Sequence, residues 1–170
     1  QDMRELNQLV EEILLASRLD TLEIPLEHQA VDLAALLAEE CARTSADCEA
    51  QALQITGDER LLRRLLRNLL ENARRHGGGE VTARLYGNDS HTLTLQVLDR
   101  GAGIPADAQS RVFEPFYRPA GHGESQGGWG LGLSLVRQIA TRHGGSVVCK
   151  SRAGGGTVFE VVLPLQQGGI

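Results

Sequence analysis

Two asparagines and two glycine-rich segments are the features of this sequence that could carry chemistry. Asn68 and Asn72 stand four residues apart in a segment whose leucines recur at helical spacing. This pattern predicts that both amides lie one turn apart on the helix face away from the leucines, where they can serve one ligand. Downstream, DRGAGI at residues 99–104 ends a strand-like run, and GGWGLGL at residues 127–133 opens a helix-like run. This order of segments predicts a nucleotide site.

Glycine suits a phosphate site because its backbone can approach the anion closely and can adopt positive φ. The glycines of residues 127–133 come just before a predicted helix from Leu133 to His143, whose first N–H groups would turn toward an anion. Alone, however, such a pattern does not establish a phosphate site. The D-x-G-x-G of residues 99–103 has an equally simple structural interpretation, a strand end and a tight turn that Asp99 caps.

The other polar residues of the asparagine segment also have two interpretations. The amide oxygen of Asn72 is a hard ligand for Mg²⁺, which takes few protein ligands and keeps waters and phosphate oxygens, but paired asparagines are otherwise solvated or capping residues. His76 is either a helix-end cation or a ring that stacks on a base. The arginines between Arg60 and Arg75 form either a solvated helix face or a local anion site.

Composition narrows the class of protein. The 170 residues, 41% of them hydrophobic, suffice for one domain with a core plus an appendage, and no apolar run approaches the roughly 20 residues of a membrane span. A net charge of −5 argues against a nucleic-acid-binding protein. Cys41 and Cys48 would lie about 10 Å apart along a helix, too far for a disulfide. We therefore expect a reducing, cytoplasmic setting without a secretory signal.

The first 20 residues predict a separate helix with two apolar rows. One row has heptad spacing and the other lies beside it, so the helix should have two packing partners, as in a helix bundle. Pro25 interrupts the pattern, and we expect a domain boundary there, between residues 1–24 and residues 25–170. The heptad row consists of Met3, Leu6, Val10 and Ile13, and the second row of Leu9, Leu15 and Leu19.

Two capped helices are predicted after the boundary. Asp32 and Asp58 each stand just before an apolar helical pattern and can accept a hydrogen bond from its first N–H groups. The second of these helices carries the asparagines and should end at the glycine run after His76. Between the helices, the segment 48–56 is short, which leaves open whether it contains a strand.

Two hairpins and one long connection complete the chain. The connection, residues 101–130, has little regularity, which is typical of a lid or binding loop. Trp129 near its end either moves with the lid or anchors it. The hairpins are predicted by alternating apolar runs, at residues 80–86 with 92–99 and at residues 146–151 with 157–163.

Five motifs in this order resemble those of the ATP-binding catalytic domain of sensor histidine kinases, in the superfamily shared with gyrase, the heat-shock ATPase and the mismatch-repair ATPase. The N-terminal LVEEILLASRLD also resembles the second helix of that family's dimerisation and histidine-phosphotransfer domain. The five motifs are NLLENARRH at 68–76, DRGAGI at 99–104, FEPFYR at 113–118, GGWGLGLSLV at 127–136 and GGGTVFEVVLP at 154–164.

By this resemblance, Asn72 would ligate Mg²⁺, and Asn68 and Arg75 would approach the phosphates of ATP, forming the catalytic set with Arg118. His76 would lie against the nucleotide, and Asp99 would accept the adenine amino group. A phosphoryl transfer requires such positioning and charge neutralisation. The other contacts to ATP and its lid would come from Gly101, Gly103, Ile104, Phe113, Phe116, Gly128, Gly130, Leu131, Gly132, Leu133 and Thr157.

Asn68 separates a kinase from a hydrolase within the superfamily. Its ATPases place a glutamate at this position to activate water, whereas an amide cannot act as a general base, so we expect a histidine acceptor rather than efficient hydrolysis. None of the five histidines is followed by an acidic residue, as the family's acceptor is. The chain is therefore expected to be a fragment that lacks its acceptor.

The resemblance implies an α/β (α+β) two-layer sandwich of three helices on a mixed sheet, with an N-terminal bundle helix, that acts as a protein-histidine kinase. Its partners would be ATP, the phosphoacceptor helix of the same kinase and a response regulator, without nucleic acid. The parent protein would be a homodimer anchored in the inner membrane, and the fragment either a monomer or a dimer through its heptad row. Two alternatives are a nucleotide-dependent interaction module without transfer and an anti-sigma-type serine kinase, which the bundle helix disfavours.

Overall fold

The computed structural model describes residues 2–20, 26–76, 79–89, 91–117 and 132–165. Four helices and seven strands lie in these segments, and the strands form two sheets. In chain order the elements are α1 (Asp2–Asp20), β1 (Gln29–Asp32), α2 (Leu33–Thr44), β2 (Asp47–Ala50), β3 (Gln54–Gly57), α3 (Glu59–His76), β4 (Val81–Gly87), β5 (Thr92–Asp99), α4 (Gly132–Arg142), β6 (Ser146–Ser151) and β7 (Thr157–Pro164).

The larger sheet is mixed, with the strand order β2-β4-β5-β7-β6. Strands β2 and β4 are parallel, and the other three pairs are antiparallel. Both predicted hairpins, β4–β5 and β6–β7, are confirmed. Strands β1 and β3 form a separate antiparallel pair, so the segment 48–56, where a strand was left open, contributes to both sheets.

Three helices form one layer of the sandwich, as expected. In α3 the leucines recur on one side, and Leu65, Leu66, Leu69 and Leu70 are at most 1% exposed. They join one core cluster with α2, α4 and the inward side chains of the larger sheet, including Leu95 and Phe159. Burial of each such side chain stabilises the fold by about 1.5–3 kcal/mol. The core therefore fixes the face of α3 on which the asparagines must lie.

Both predicted helix caps are confirmed. Asp32 accepts a hydrogen bond from the Ala35 N–H at 3.0 Å. The carboxylate of Asp58, which is fully buried, accepts from the N–H groups of Arg60 and Leu61 at 3.1 and 3.3 Å. These bonds satisfy N–H groups that have no partner within a helix.

The expected distance between Cys41 and Cys48 is wrong, because α2 ends earlier than that estimate assumed. Ser45 adopts a left-handed conformation (φ 59) and turns the chain, so that Cys48 lies on β2 instead of continuing the helix. Burial, together with the neighbouring thiol of Cys48, raises the pKa of Cys41 to about 12. The two thiols are therefore neighbours across the turn.

Helix α1 packs against α4 through one of its two apolar rows. Leu15 of the second row contacts the core cluster, and Glu11 lies 4.0 Å from Arg64 of α3 in an ion pair. The heptad row faces outward, with Met3 74% and Leu6 57% exposed. Among the described residues, no helix combines the length and the hydropathy that crossing a membrane requires.

Candidate nucleotide site

The asparagine face of α3 meets the first residue of α4. Asn68 and Asn72 are half-buried, whereas the leucines beside them are buried. The Asn68 amide donates a hydrogen bond from Nδ2 to the carbonyl oxygen of Gly132 at 3.2 Å. The fold thus joins the asparagine motif to the end of the second glycine-rich segment, 64 residues away in sequence.

The last turn of α3 carries two further residues of the candidate site, Arg75 and His76. Arg75 is exposed and His76, the last residue of the helix, is half-buried. Burial raises the pKa of Glu12 on α1, and the charges of Arg64 and Arg75 oppose that rise. Arg75 therefore lies within electrostatic reach of α1 as well as on the asparagine helix.

Asp99 is a buried carboxylate at the end of β5, with 3% of its surface exposed. Its Oδ1 accepts hydrogen bonds from the Gly101 N–H at 2.9 Å and from the Thr157 N–H at 3.2 Å. Burial raises its pKa, although these two bonds and the charges of Arg152 and His76 oppose the rise. His76 at the end of α3 therefore lies within electrostatic reach of Asp99.

A glycine turn closes over the backbone of Asp99. Gly154, Gly155 and Gly156 all have positive φ, and a Cβ on Gly156 would overlap the carbonyl oxygen of Asp99. Gly103 also has positive φ, and a Cβ there would lie 3.5 Å from the Gly156 carbonyl oxygen. Close approach to Asp99 thus requires glycine at position 156, whereas at position 103 the positive φ, not the available space, favours glycine.

Two arginines that sequence analysis missed hold this turn. Arg152 donates from Nη1 to the carbonyl oxygen of Asp99 at 3.1 Å. Arg100 donates from Nη1 to the carbonyl oxygens of Ala153 and Gly155 at 2.9 and 3.0 Å. The signal in the sequence was an arginine beside each glycine segment, but such a residue has no preferred partner until the fold brings the segments together.

Glu40 on α2 fixes the position of α3 through two of its arginines. The carboxylate is fully buried and accepts from Arg63 Nη1 at 2.9 Å and from Arg67 Nε and Nη2 at 3.0 and 3.1 Å. Burial alone would raise the pKa of Glu40, but the bonds from Arg67 and Arg63 outweigh it and lower the pKa. These two arginines therefore stabilise the α2–α3 interface through Glu40 and are engaged there rather than with an anionic ligand.

The apolar site residues lie mainly in the core. Phe113 is 3% exposed, and its ring meets that of Phe159 edge-on at 6.0 Å between centroids. Arg137 lies over the Phe113 ring at 5.9 Å. Ile104 and Leu133 are half-buried against the same core. A nucleotide contact by Phe113 stays a prediction, since in this structure the ring packs against the sheet.

Phe116 differs from Phe113 in its exposure and backbone conformation. Phe116 is 59% exposed and has positive φ (64), a conformation that a bulky residue rarely adopts. The remaining predicted site residues, Arg118, Gly128, Gly130 and Leu131, lie outside the described residues, as does Trp129.

A divalent cation at this site would depend on the nucleotide. Within the described segments, no group of three or more histidine, cysteine, aspartate or glutamate side chains could hold a metal ion. The half-buried amide of Asn72 offers one hard oxygen, which fits Mg²⁺ because that ion takes one or two protein ligands and fills its other positions with phosphate oxygens and water.

Comparison with known proteins places this geometry in a family. A family model described as histidine kinase-, DNA gyrase B- and HSP90-like ATPase matches residues 57–167. The probable sensor histidine kinase TcrY of Mycobacterium tuberculosis is 37% identical over 172 aligned positions. The alignment covers 94% of this chain and 36% of TcrY. The chain thus spans about a third of the length of the curated relatives it matches.

Two solved structures share the fold. The mycobacterial sensor histidine kinase MprB superposes with a TM-score of 0.76 at 30% identity, covering 81% of this chain and 99% of that one. Full-length ShkA superposes with a TM-score of 0.79 at 26% identity, covering 97% of this chain and 37% of that one. The matched residues 57–167 contain Asn68, Asp99 and Gly132, and the chain belongs to the family of histidine kinase-, DNA gyrase B- and HSP90-like ATPases.

Proposed function

We propose that this chain is the ATP-binding catalytic domain of a sensor histidine kinase, which transfers the γ-phosphate of ATP to a histidine outside residues 1–170. The observation that carries the proposal is the buried carboxylate of Asp99, held by Gly101 and Thr157 at the end of β5. Support comes from the relatives, which are sensor histidine kinases, and from ShkA, whose solved structure is a complex with AMPPNP.

Asp99 would recognise adenine. Both described backbone bonds fall on its Oδ1, which leaves Oδ2 to accept a hydrogen bond from the exocyclic amino group of the base. A buried acceptor rejects a ligand without the matching donor, because the acceptor would then remain without a partner at a cost of about 1–3 kcal/mol. Gly101 and Gly103 would shape the pocket around the ring.

The asparagine face and the beginning of α4 would hold the phosphates. Asn68 and Arg75 would approach them from α3, and the first N–H groups of α4 favour an anion at that helix end. Asn72 would hold Mg²⁺, which when bound supplies charge neutralisation on the phosphate oxygens. His76, near Asp99, would lie against the nucleotide.

The transfer step would need a nucleophile from another segment or domain. A neutral imidazole nitrogen attacks the γ-phosphorus, a P–N bond forms, and the bond to the bridging oxygen breaks so that ADP leaves with the electron pair. The imidazole then loses its N–H proton to solvent. In this step the domain positions the reactants and neutralises charge. Asn68 cannot take a proton from water, which favours transfer over hydrolysis.

Phosphotransfer tests this proposal directly. The chain is mixed with ATP labelled on the γ-phosphate and with a separately produced dimerisation domain that carries the acceptor histidine. We expect acid-labile, base-stable label on the acceptor, and loss of labelling with Asn72→Ala but not with Asn88→Ala, a surface control. Nucleotide binding without any labelled acceptor would favour an interaction module instead, and acid-stable label would favour a serine kinase.

The proposal also includes the place of this chain in its parent protein. Residues 1–24 would be the second helix of the dimerisation domain, and residues 25–170 the catalytic domain. The outward heptad row of α1, with Met3 and Leu6 most exposed, supports a bundle partner for that helix. The parent would then be a membrane-anchored homodimer that passes its phosphate to a response regulator.

A further inference from the structure

His143 joins the end of α4 to the beginning of α3. The ring follows α4 directly, and its Nδ1 donates to the carbonyl oxygen of Ile139 at 2.8 Å. Its Nε2 lies 3.0 Å from the backbone nitrogen of Asp58 and accepts its N–H. These two partners select the neutral tautomer that carries its proton on Nδ1, since Nε2 must offer a lone pair.

The surroundings of the ring are built for this contact. A Cβ on Gly57 would lie 2.6 Å from Cδ2 and 2.8 Å from Nε2 of His143, so only glycine at this position leaves room for the imidazole. Asp58 is fully buried, and its carboxylate caps α3 and accepts the Glu27 N–H at 3.3 Å. The contact thus joins three segments that are distant in sequence.

Helices α3 and α4 are consequently tied at two places. At one end Asn68 bonds to Gly132, and at the other Asp58 bonds to His143. About ten residues, or roughly 15 Å of helix, separate the two ties on each helix, so the helices run side by side in opposite directions. A helix held at both ends cannot tilt away from its neighbour by pivoting about one contact.

We propose that His143 is a positioning residue, which keeps the first turn of α4 against the asparagine face of α3 and thereby sets the affinity for nucleotide. This inference rests on the proposed nucleotide site. The hydrogen bonds of His143 go to Ile139 and Asp58, and among the described residues to none of those assigned to that site, so it acts through α4. Loss of the Asp58 bond would loosen the end of α4 opposite the phosphates and make the position of Gly132 less defined.

The contact makes nucleotide affinity depend on pH. Protonation of Nε2 would turn its N–H against the N–H of Asp58 and abolish the bond. Burial lowers the pKa of His143, and the charges of His28 and Arg142 act in the same direction, whereas the bond to Ile139 and the Asp58 carboxylate oppose them. That carboxylate is itself 3.6 Å from Arg60, which also lies 3.9 Å from Glu27. The bond is therefore complete at neutral pH and is lost as the pH falls.

Calorimetry with an ATP analogue, in steps from about pH 8 to the lowest pH at which the wild type stays folded, tests the inference. The key variant is His143→Gln, because its amide oxygen can accept the Asp58 N–H but does not titrate. We expect wild-type affinity to fall ~5-fold more than that of His143→Gln as the pH falls through the lowered pKa of His143. The Gln variant keeps every other titratable group of the protein and binds the same ATP analogue, so the difference isolates His143.

Two further variants serve as comparison. His143→Leu cannot accept the bond and should bind nucleotide more weakly than His143→Gln throughout this pH range, while His91→Gln, on the exposed β4–β5 turn, should keep the wild-type pH dependence. Equal pH dependence in wild type and His143→Gln would overturn the inference and leave the nucleotide site intact. Failure of the wild type to bind at about pH 8 would overturn the proposed function as well.

Nuclear magnetic resonance provides a readout that does not depend on nucleotide or on the folding of the Leu variant. Nitrogen-15 shifts of the His143 ring in the wild type should show a protonated Nδ1 and an unprotonated Nε2 at neutral pH. A proton on Nε2 instead would mean that the ring donates there, and would overturn the bond to the Asp58 N–H on which the inference depends.

Discussion

The amide of Asn68 donates to the carbonyl oxygen of Gly132, at 3.2 Å, and so connects the asparagine helix to the beginning of the next helix. Both residues belong to motifs that the sequence predicted to share a nucleotide. By resemblance, Asn68 stands where the superfamily's ATPases have a glutamate. Its amide can donate to a carbonyl oxygen, which a carboxylate cannot do, so Asn68 also makes a structural contact.

The loss of nucleotide affinity on replacing Asn68 should therefore depend on how the new side chain interacts with the carbonyl oxygen of Gly132. Asn68→Ala removes the donor and should weaken nucleotide binding ~10-fold, because the bond contributes about 1 kcal/mol and one phosphate contact is lost with it. Asn68→Asp should be worse, since a carboxylate would face the carbonyl oxygen and the phosphates. Equal affinities for the two variants, measured by calorimetry, would contradict this account of Asn68.

Glu40 should be far more important for stability than its neighbour Glu39. Glu40→Gln leaves two arginines partly paired at a buried position and should lower the free energy of unfolding by about 1–3 kcal/mol. Glu39 is 60% exposed although it bonds to the same Arg63 at 2.9 Å, so Glu39→Gln should cost about 0–1 kcal/mol. Urea unfolding of both variants measures the difference in free energy of unfolding, and Glu39→Gln must be the more stable of the two.

The effect of Glu40 should also depend on pH. Because its pKa is lowered in the folded state, its contribution is complete above the ordinary glutamate pKa of about 4.3 and is lost as the pH falls through the lowered value. The stabilities of wild type and Glu40→Gln should therefore converge in acid. A gap that stays constant from neutral pH into acid would show that the cluster does not act through charge.

Substitutions at two adjacent glycines can distinguish the effect of backbone strain from the effect of contact with Asp99. Gly155 and Gly156 have φ of 107 and 110, but a Cβ on Gly155 meets nothing within 4 Å, whereas one on Gly156 overlaps Asp99. Either Ala variant should lose about 1–3 kcal/mol of stability from strain. Gly156→Ala should in addition displace Asp99 and weaken nucleotide binding. Loss of affinity that is equal in both variants would argue against a direct role of the turn.

The ionised carboxylate of Asp99, proposed to bind the nucleotide, should lower the stability of the domain. Its pKa is raised by burial, so the unfolded chain ionises more readily and stability falls as the pH rises from the ordinary aspartate value through the raised one. Asp99→Asn keeps an acceptor for the Gly101 and Thr157 N–H groups and should unfold at a higher temperature than wild type at neutral pH. Calorimetric melting that shows the variant to be less stable would contradict this.

The sequence predicted the regular elements well because their signals are local. The caps at Asp32 and Asp58, the leucine face of α3 and both hairpins depend on residues within a few positions of one another. Strand β2 was left open because all four of its residues are exposed and show no alternation. The early end of α2 at Ser45, which corrected the cysteine distance, depends on a left-handed conformation that serine does not signal.

The site was only partly predictable, because several of its contacts span long stretches of chain. Asp99 and Asn68 were predicted from their motifs, whereas Arg152, 53 residues from its partner, has no local signature, and neither does His143, which lies outside the site and 85 residues from Asp58. Phe113 was assigned to the lid, but its ring packs against Phe159, since an aromatic side chain follows the available core volume. The nucleotide and lid contacts expected of residues 118–131 stay predictions.

A double-mutant cycle between Asp99 and the adenine amino group measures whether the Asp99 carboxylate binds the base. Calorimetry would compare ATP with a triphosphate whose purine lacks the amino group, on wild type and on Asp99→Asn, with the exposed Asp47→Asn as control. We predict that removal of the amino group weakens binding to wild type and Asp47→Asn at least ~10-fold and has little effect on Asp99→Asn, a coupling of about 1–3 kcal/mol. Independent, additive effects would show that Asp99 does not bind the base and would contradict the nucleotide site described here.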